Sequence, residues 1–468
     1  MDELDRLDAI GIAALVRSRQ VSAREVLDAT LSRIAARNPS LNAIVTPLHD
    51  AAAQAIATGL PDGPFTGAPF AFKELVVSVV GAASTQASRL YANATANADS
   101  ELVRRCRQAG LVIVGKTNSS EFGLQPVTEP HLFGPARNPW NPAFSPGGSS
   151  GGAASAVASA MLPMAHATDG GGSIRIPASC CGMFGLKPTR ARITAGPEGG
   201  EGLAGLASQH AITWSVRDSA ALLDATAGPM PGDPYAPAPP SRPYLDEAAR
   251  DPARLRIGFS TTAPSGVAVD RECAEAALRM ARLCEQLGHI VEQAEPEFDV
   301  CVARASFATV FQANTAVNAG RATGGALPAP GLIEPLTRAV AERGLAIFAA
   351  DYIRALQAMH RESRHIAAFH ARYDLWLTPT LGALPPRIGV HSSDIDDVDR
   401  WLDQLMGFLP FTWIQNITGQ PAMSVPAGLS SGGLPVGVQF AARYGEEATL
   451  FGLAGQIERA NPWPRLAG

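Results

Sequence analysis

Lysine is almost missing from this 468-residue chain. Of its 38 basic residues only Lys73, Lys116 and Lys187 are lysines, and the other 35 are arginines. Charge of either sign is scarce too: 17% of residues against roughly 25% in an ordinary soluble chain, with a net charge of −5. So mild and scattered a charge lacks the basic footprint of nucleic-acid binding. Cysteine numbers six, without a Cys-x-x-Cys spacing. That excludes a disulfide framework and points to reduced, buried thiols in a cytoplasmic protein. The opening MDELDRLDAIGI has neither the positive segment nor the apolar segment of a secretory signal. The uncharged stretch 138–168 is broken by Pro139, Pro142, Pro146 and Pro163. Its apolar part, 153–165, is too short and too small-sided to cross a bilayer core of about 30 Å. Neither a nucleic acid nor a membrane is therefore expected as a partner.

What is abundant is glycine, 45 residues, and proline, 37, within a chain that is 46% apolar and able to build a large core. Ser22-Ala-Arg-Glu25 is a capping box opening a helix with Leu27, Leu31 and Ile34 on one face, expected to stop near Asn38-Pro39. A short apolar strand, 67–73, ends on Lys73. A helix over 101–109 feeds a second strand that ends at Gly115-Lys116. Alternation of this kind predicts an α/β layer fold. One domain is expected: N-terminal helices over 1–60, a glycine-rich core over 61–228, a proline-rich connector over 229–243 and a C-terminal part over 244–468. A helix of alanine and serine over 153–161 can approach other backbone closely, which places it centrally.

Several kinds of chemistry can be weighed. His360, His365 and His370 recur every five residues, which on a helix rotates successive rings by roughly 140° and leaves them on different faces. No metal site and no cofactor are expected. Gly147-Gly-Ser149-Ser-Gly151 satisfies the G-x-S-x-G pattern, but Ser145-Pro146 precedes it where a nucleophile elbow needs a strand. Gly115-Lys116-Thr117 lacks the upstream glycine of a phosphate loop. There remain two serines and a lysine. Ser149 and Ser173 lie in separate glycine loops, and a helix plus a strand between them can bring the loops together. Ser173 follows Gly170, Gly171 and Gly172, whose N–H groups can converge on a developing oxyanion. A serine nucleophile needs a base, and neither loop contains a histidine; the nearest, His166, reads as a helix-end or core residue. A neutral lysine is the alternative base.

The runs Gly147-Gly-Ser-Ser-Gly-Gly152, Asp169-Gly-Gly-Gly-Ser-Ile-Arg-Ile-Pro-Ala178 and Gly185-Leu-Lys-Pro-Thr189 resemble those of the amidase signature family, as do Phe72-Lys73-Glu74 and Gly115-Lys-Thr-Asn118. Arg137-Asn-Pro-Trp-Asn141, Ser215-Val-Arg-Asp218 and Gly196-Pro197 point, more weakly, to a bacterial branch of it. The resemblance covers nearly the whole chain. It implies an α/β amidase signature fold, with a large twisted mixed β-sheet core covered by helices on both faces. It implies Ser173 as the nucleophile, Ser149 as a bridging serine on a cis peptide, and Lys73 as the base. Gly170, Gly171, Gly172 and Ser173 would supply oxyanion N–H groups, and Ser150 would hydrogen-bond within the site.

An arginine could not serve at position 73, because it is never deprotonated in proteins. Strand alternation places Phe70 and Phe72 opposite Lys73 and turns Glu74 away from it. Lys116 and Lys187 read as structural residues binding loop carbonyls, and Arg175 as an anchor that Asp169 can partner. The sequence departs from the family at Gly170, where a threonine is usual, and at Glu74, where an aspartate is usual. The implied partners are water and a small amide or carbamate, with the chain a monomer or homodimer. The implied activity is hydrolysis of a small or medium acyl amide. The alternatives are a carbamate, anilide or amide-oligomer hydrolase with the same triad, and a glutamine-hydrolysing subunit of a tRNA-dependent amidotransferase. The pocket is expected from loops over 120–145, 300–350 and 376–415, with Leu124, Phe133, Phe311, Phe348, Trp376, Leu405 and Trp413 as apolar candidates.

Overall fold

In the computed structural model, which describes residues 4–466, apolar strand residues alternate between two buried faces. The strands are β1 (Ile44–Pro47), β2 (Pro69–Lys73), β3 (Val112–Thr117), β4 (Met164–Asp169), β5 (Phe184–Lys187), β6 (Ser208–Thr213), β7 (Arg256–Phe259), β8 (Ile290–Gln293), β9 (Leu375–Pro379), β10 (Ala422–Leu429) and β11 (Pro435–Ala442). Leu375 and Leu377 of β9 join one core, and Trp376 between them joins the other. Met164 and Ala165 of β4 divide in the same way. Successive strand side chains point to opposite sides, so a sheet apolar on both sides must be covered on both. Helices Val216–Thr226, Arg271–Gln286 and Glu447–Ala460 cover the first face. Gly151–Ala158, Arg175–Cys181, Val300–Gly320 and Ala349–Phe369 cover the second.

The large sheet has eight strands in the order β4-β6-β5-β10-β11-β9-β7-β8. It is mixed: β7 runs parallel to both β8 and β9, and the remaining pairs are antiparallel. A second sheet, β1-β3-β2, pairs β2 parallel to β3. It meets the large sheet where the Lys73 N–H at the end of β2 donates to His166 Nδ1 on β4, at 3.3 Å. His166 is therefore a core strand residue rather than a helix end, with its ring 5.3 Å from that of Phe72.

The capping box at Ser22 is present, but the helix it opens runs through Pro39 to Leu41. Pro39 gives up its own N–H bond there, and the Asn38 side chain secures the exit by accepting from Ala43 and Ile44 N–H. The alanine and serine helix begins earlier than expected, at Gly151, and all eight of its residues are buried. Residues 229–243 form a largely exposed segment without a helix or strand. Five of the six thiols are buried; Cys301 is exposed, contrary to the sequence reading. His370 is buried against Tyr373 O, whereas His360 is exposed. No described helix is long and apolar enough to cross a membrane, and the described residues assemble no His, Cys, Asp or Glu cluster fit for a metal.

Candidate active site

All three lysines are buried, at 0%, 1% and 0% exposure for Lys73, Lys116 and Lys187. Lys116 Nζ donates to Ala83 O and pairs with Glu74 at 3.1 Å, and Lys187 Nζ donates to Pro188 O. Glu74 thus faces away from Lys73, and also accepts from Thr46 and from the N–H and hydroxyl of Thr85. Like Lys187 and unlike Lys116, Lys73 has no carboxylate in contact. Its Nζ bonds only to hydroxyls, Ser149 Oγ at 2.7 Å and Thr168 Oγ1 at 2.9 Å. Burial pushes its pKa well below the ordinary lysine value, and the nearby Asp169 charge offsets only part of that. His166 is driven down to about 3, by burial first and then by Lys73, and stays neutral.

Ser149 sits on a cis peptide, Gly148-Ser149, as the resemblance implied. A Cβ at Gly148 would lie 2.4 Å from the Val127 backbone, so only glycine passes there. Thr128 Oγ1 holds this loop by donating to Gly147 O and accepting from Gly151 N–H. Ser150 Oγ donates to Thr168 O at 3.2 Å, linking the serine loop to β4. Helix Gly151–Ala158 and β4 are the helix and strand that carry the chain from one loop to the other.

The second loop, 170–173, is fixed from behind. The Arg175 guanidinium grips Asp169 with two bonds, Nε to Oδ2 at 2.9 Å and Nη2 to Oδ1 at 2.8 Å. Its remaining donors reach Gln415, Gln439 and Asn416. Burial alone would raise the Asp169 pKa, but Arg175 overcomes this and holds it low. The carbonyls of Asp169, Gly171 and Gly172 accept from Asn416, Thr412 and Ile176 respectively. The N–H groups of residues 170–173 donate to no acceptor among the described residues. Gly172 has φ +139°, and a Cβ there would strike Thr412 Oγ1, so this turn requires glycine. Ser173 is 9% exposed, and no hydrogen bond joins its hydroxyl to that of Ser149.

Removing the Arg175 charge would strand Asp169 in the interior. Arg175→Met is expected to cost about 3–5 kcal/mol in urea unfolding.

Of the seven apolar candidates, Phe311 borders the loop, 3.9 Å from where a Gly170 Cβ would lie. Trp413 packs on Phe307 at 5.7 Å. Trp376 is committed to the second core, Leu124 and Leu405 are buried there as well, and Phe133 is half-buried. Phe348 is 77% exposed at a helix start. Sequence reasoning missed Phe307, which lies 3.2 Å from a Gly171 Cβ position, and also Thr168, Thr128 and Thr412. Thr168 carried a signal: it alternates with His166 on the face of β4 that meets β2. Thr128 and Thr412 act through backbone contacts that no local pattern announces.

A buried lysine on a hydroxyl thus stands beside a glycine turn whose N–H groups have no acceptor among the described residues. The amidase family profile matches residues 25–451. The chain belongs to the amidase signature family and is a hydrolase acting on carbon–nitrogen bonds. It is 39% identical over 477 residues to 6-aminohexanoate-cyclic-dimer hydrolase of Paenarthrobacter ureafaciens, covering 97% of this chain and 95% of that one. Among solved structures it resembles 6-aminohexanoate cyclic dimer hydrolase complexed with substrate, with TM-score 0.93, 37% identity and 98% of each chain covered. A bacterial aryl acylamidase follows with TM-score 0.88 and 27% identity, over 98% of this chain and 96% of that one.

Proposed function

We propose that this chain hydrolyses the C–N bond of small to medium acyl amides through Ser173, Ser149 and Lys73. The observation that carries the reading is the 2.7 Å bond from Lys73 Nζ to Ser149 Oγ, made by a fully buried lysine with no carboxylate contact. A neutral amine so placed can take a proton from a hydroxyl. Ser173 Oγ attacks the amide carbon, and its proton passes through Ser149 to Lys73. Negative charge gathers on the carbonyl oxygen, facing the free N–H groups of the 170–173 turn; such preorganised donors commonly supply the largest share of catalysis. The proton returns along the same path to the leaving nitrogen, the C–N bond breaks, and an ester on Ser173 remains. Water then repeats the cycle, freeing the acid and restoring Ser173. The missing Ser149–Ser173 bond is compatible with this relay, since catalytic hydrogen bonds often tighten only once substrate is bound. Ser150 braces the serine loop rather than touching the reacting atoms.

The test is a panel of aliphatic acyl amides, anilides, carbamates, linear and cyclic amide oligomers and glutamine, scored by released amine or ammonia. Turnover of acyl amides is expected, with aliphatic oligoamides the first class to examine given the relative's name. Turnover confined to glutamine would replace the reading with a glutaminase. Release from none of the amides would overturn it.

A further inference from the structure

Gly170 stands where the family usually has threonine, and the structure shows what fills the space. The Gly170 backbone is not in the left-handed region, so its conformation does not demand glycine. What opposes a side chain is one atom: a Cβ at Gly170 would lie 2.7 Å from Leu203 Cδ1, with Phe311 at an ordinary 3.9 Å. Leu203 is half-buried, and it is held there by an unusual backbone. Leu203 and Ala204 have φ +51° and +50°, two consecutive non-glycine residues in the left-handed region. Such a conformation is disfavoured for leucine and alanine, and strain of this kind gathers at binding and catalytic sites. The turn is tied to the loop it faces, because Asn416 Nδ2 donates both to Leu206 O and to Asp169 O. Phe311 and Phe307, from helix Val300–Gly320, approach the same loop at Gly170 and Gly171. Leu203 and the two phenylalanines thus pack against the turn whose N–H groups have no acceptor among the described residues.

We infer that Leu203 is a specificity-determining residue, occupying the place of the absent threonine side chain and limiting the bulk that the site admits next to the reacting carbonyl. The substrates it favours are amides slim beside that carbonyl, with unbranched methylene groups. Those it rejects are branched or ring-bearing at the neighbouring carbon. The inference rests on the amide-hydrolase reading, and two measurements separate the fates of the two.

The first measurement needs no turnover. In thermal unfolding, Gly170→Thr should lower Tm, and adding Leu203→Ala should recover part of the loss, so that the double variant is more stable than the two single changes summed. Gly170→Ala serves as the milder partner if Gly170→Thr does not fold. Additive changes in Tm would overturn the packing on which the inference stands. The second measurement compares kcat/KM on anilides with unbranched and α-branched acyl groups, and on amides of slim and bulky amines. Leu203→Ala should raise the bulky-to-slim ratio in one series by about tenfold, the order expected when methylenes leave an apolar pocket. A merely structural role would lower all substrates alike. An unchanged ratio in both series, from an enzyme that turns over amides, would overturn the inference and leave the amide-hydrolase reading standing.

Discussion

Ser173→Ala is expected to lower amide turnover by at least about a thousandfold while leaving the fold unchanged. The size follows from the chemistry: without the hydroxyl no acyl-enzyme forms, and only the oriented N–H groups and substrate binding remain, worth about 10³–10⁴ over water in comparable sites. The intact fold follows from the structure. The Ser173 side chain makes no hydrogen bond among the described residues, and the turn around it is held by Asp169, Arg175, Asn416 and Thr412 instead. Amine release and Tm measured on one preparation check both halves. Mass spectrometry of enzyme quenched during turnover should find the acyl group on the peptide carrying Ser173, and in the variant none. Retained turnover by Ser173→Ala would sink the proposed mechanism.

Lys73→Arg should be nearly as damaging as Lys73→Ala, each losing about 10²–10⁴ in kcat, the usual contribution of a positioned base. The two variants fail for different reasons. Alanine removes the acceptor. Arginine keeps nitrogen in place but cannot give up its proton, and it brings a permanent charge to a pocket with only Ser149 and Thr168 hydroxyls to meet it. The pH–rate profile carries the same argument. Burial lowers the Lys73 pKa, so the base becomes neutral, and activity rises, through a limb well below the usual lysine value. Below that limb the wild type holds protonated Lys73 and should be as slow as the arginine variant. A Lys73→Arg enzyme near wild-type rate would refute the neutral-lysine base.

Where residues act through their own neighbours in sequence, the site was legible. Lys73 ends a strand that its apolar run announces, and Ser149 and Ser173 lie in loops that glycine marks. Asp169 and Arg175 are six residues apart, and their pairing was anticipated. The two-faced sheet was legible in outline through strand alternation. What stayed hidden depends on distant segments meeting. Asn416, Gln415 and Gln439, which complete the shell around Arg175, come from 240 or more residues away. Leu203 reaches Gly170 only because its turn adopts a backbone that leucine and alanine rarely take. Glu74 was seen to turn from Lys73, but its pairing with Lys116 required the parallel register of β2 and β3, which sets Phe72 beside Lys116. The helix continues through Pro39 to Leu41, and the bonds from Ala43 and Ile44 to Asn38 that secure its end come from residues beyond the proline.

The three lysines have one more consequence. With every lysine 1% exposed or less, the folded surface offers no lysine side chain to amine-directed chemistry: reagents and enzymes that seek lysine meet arginine in its place. The protein is in effect pre-blocked for lysine conjugation, and the three amines become available together only as the chain opens. Their reactivity is thus a built-in reporter of unfolding that needs no engineered tag.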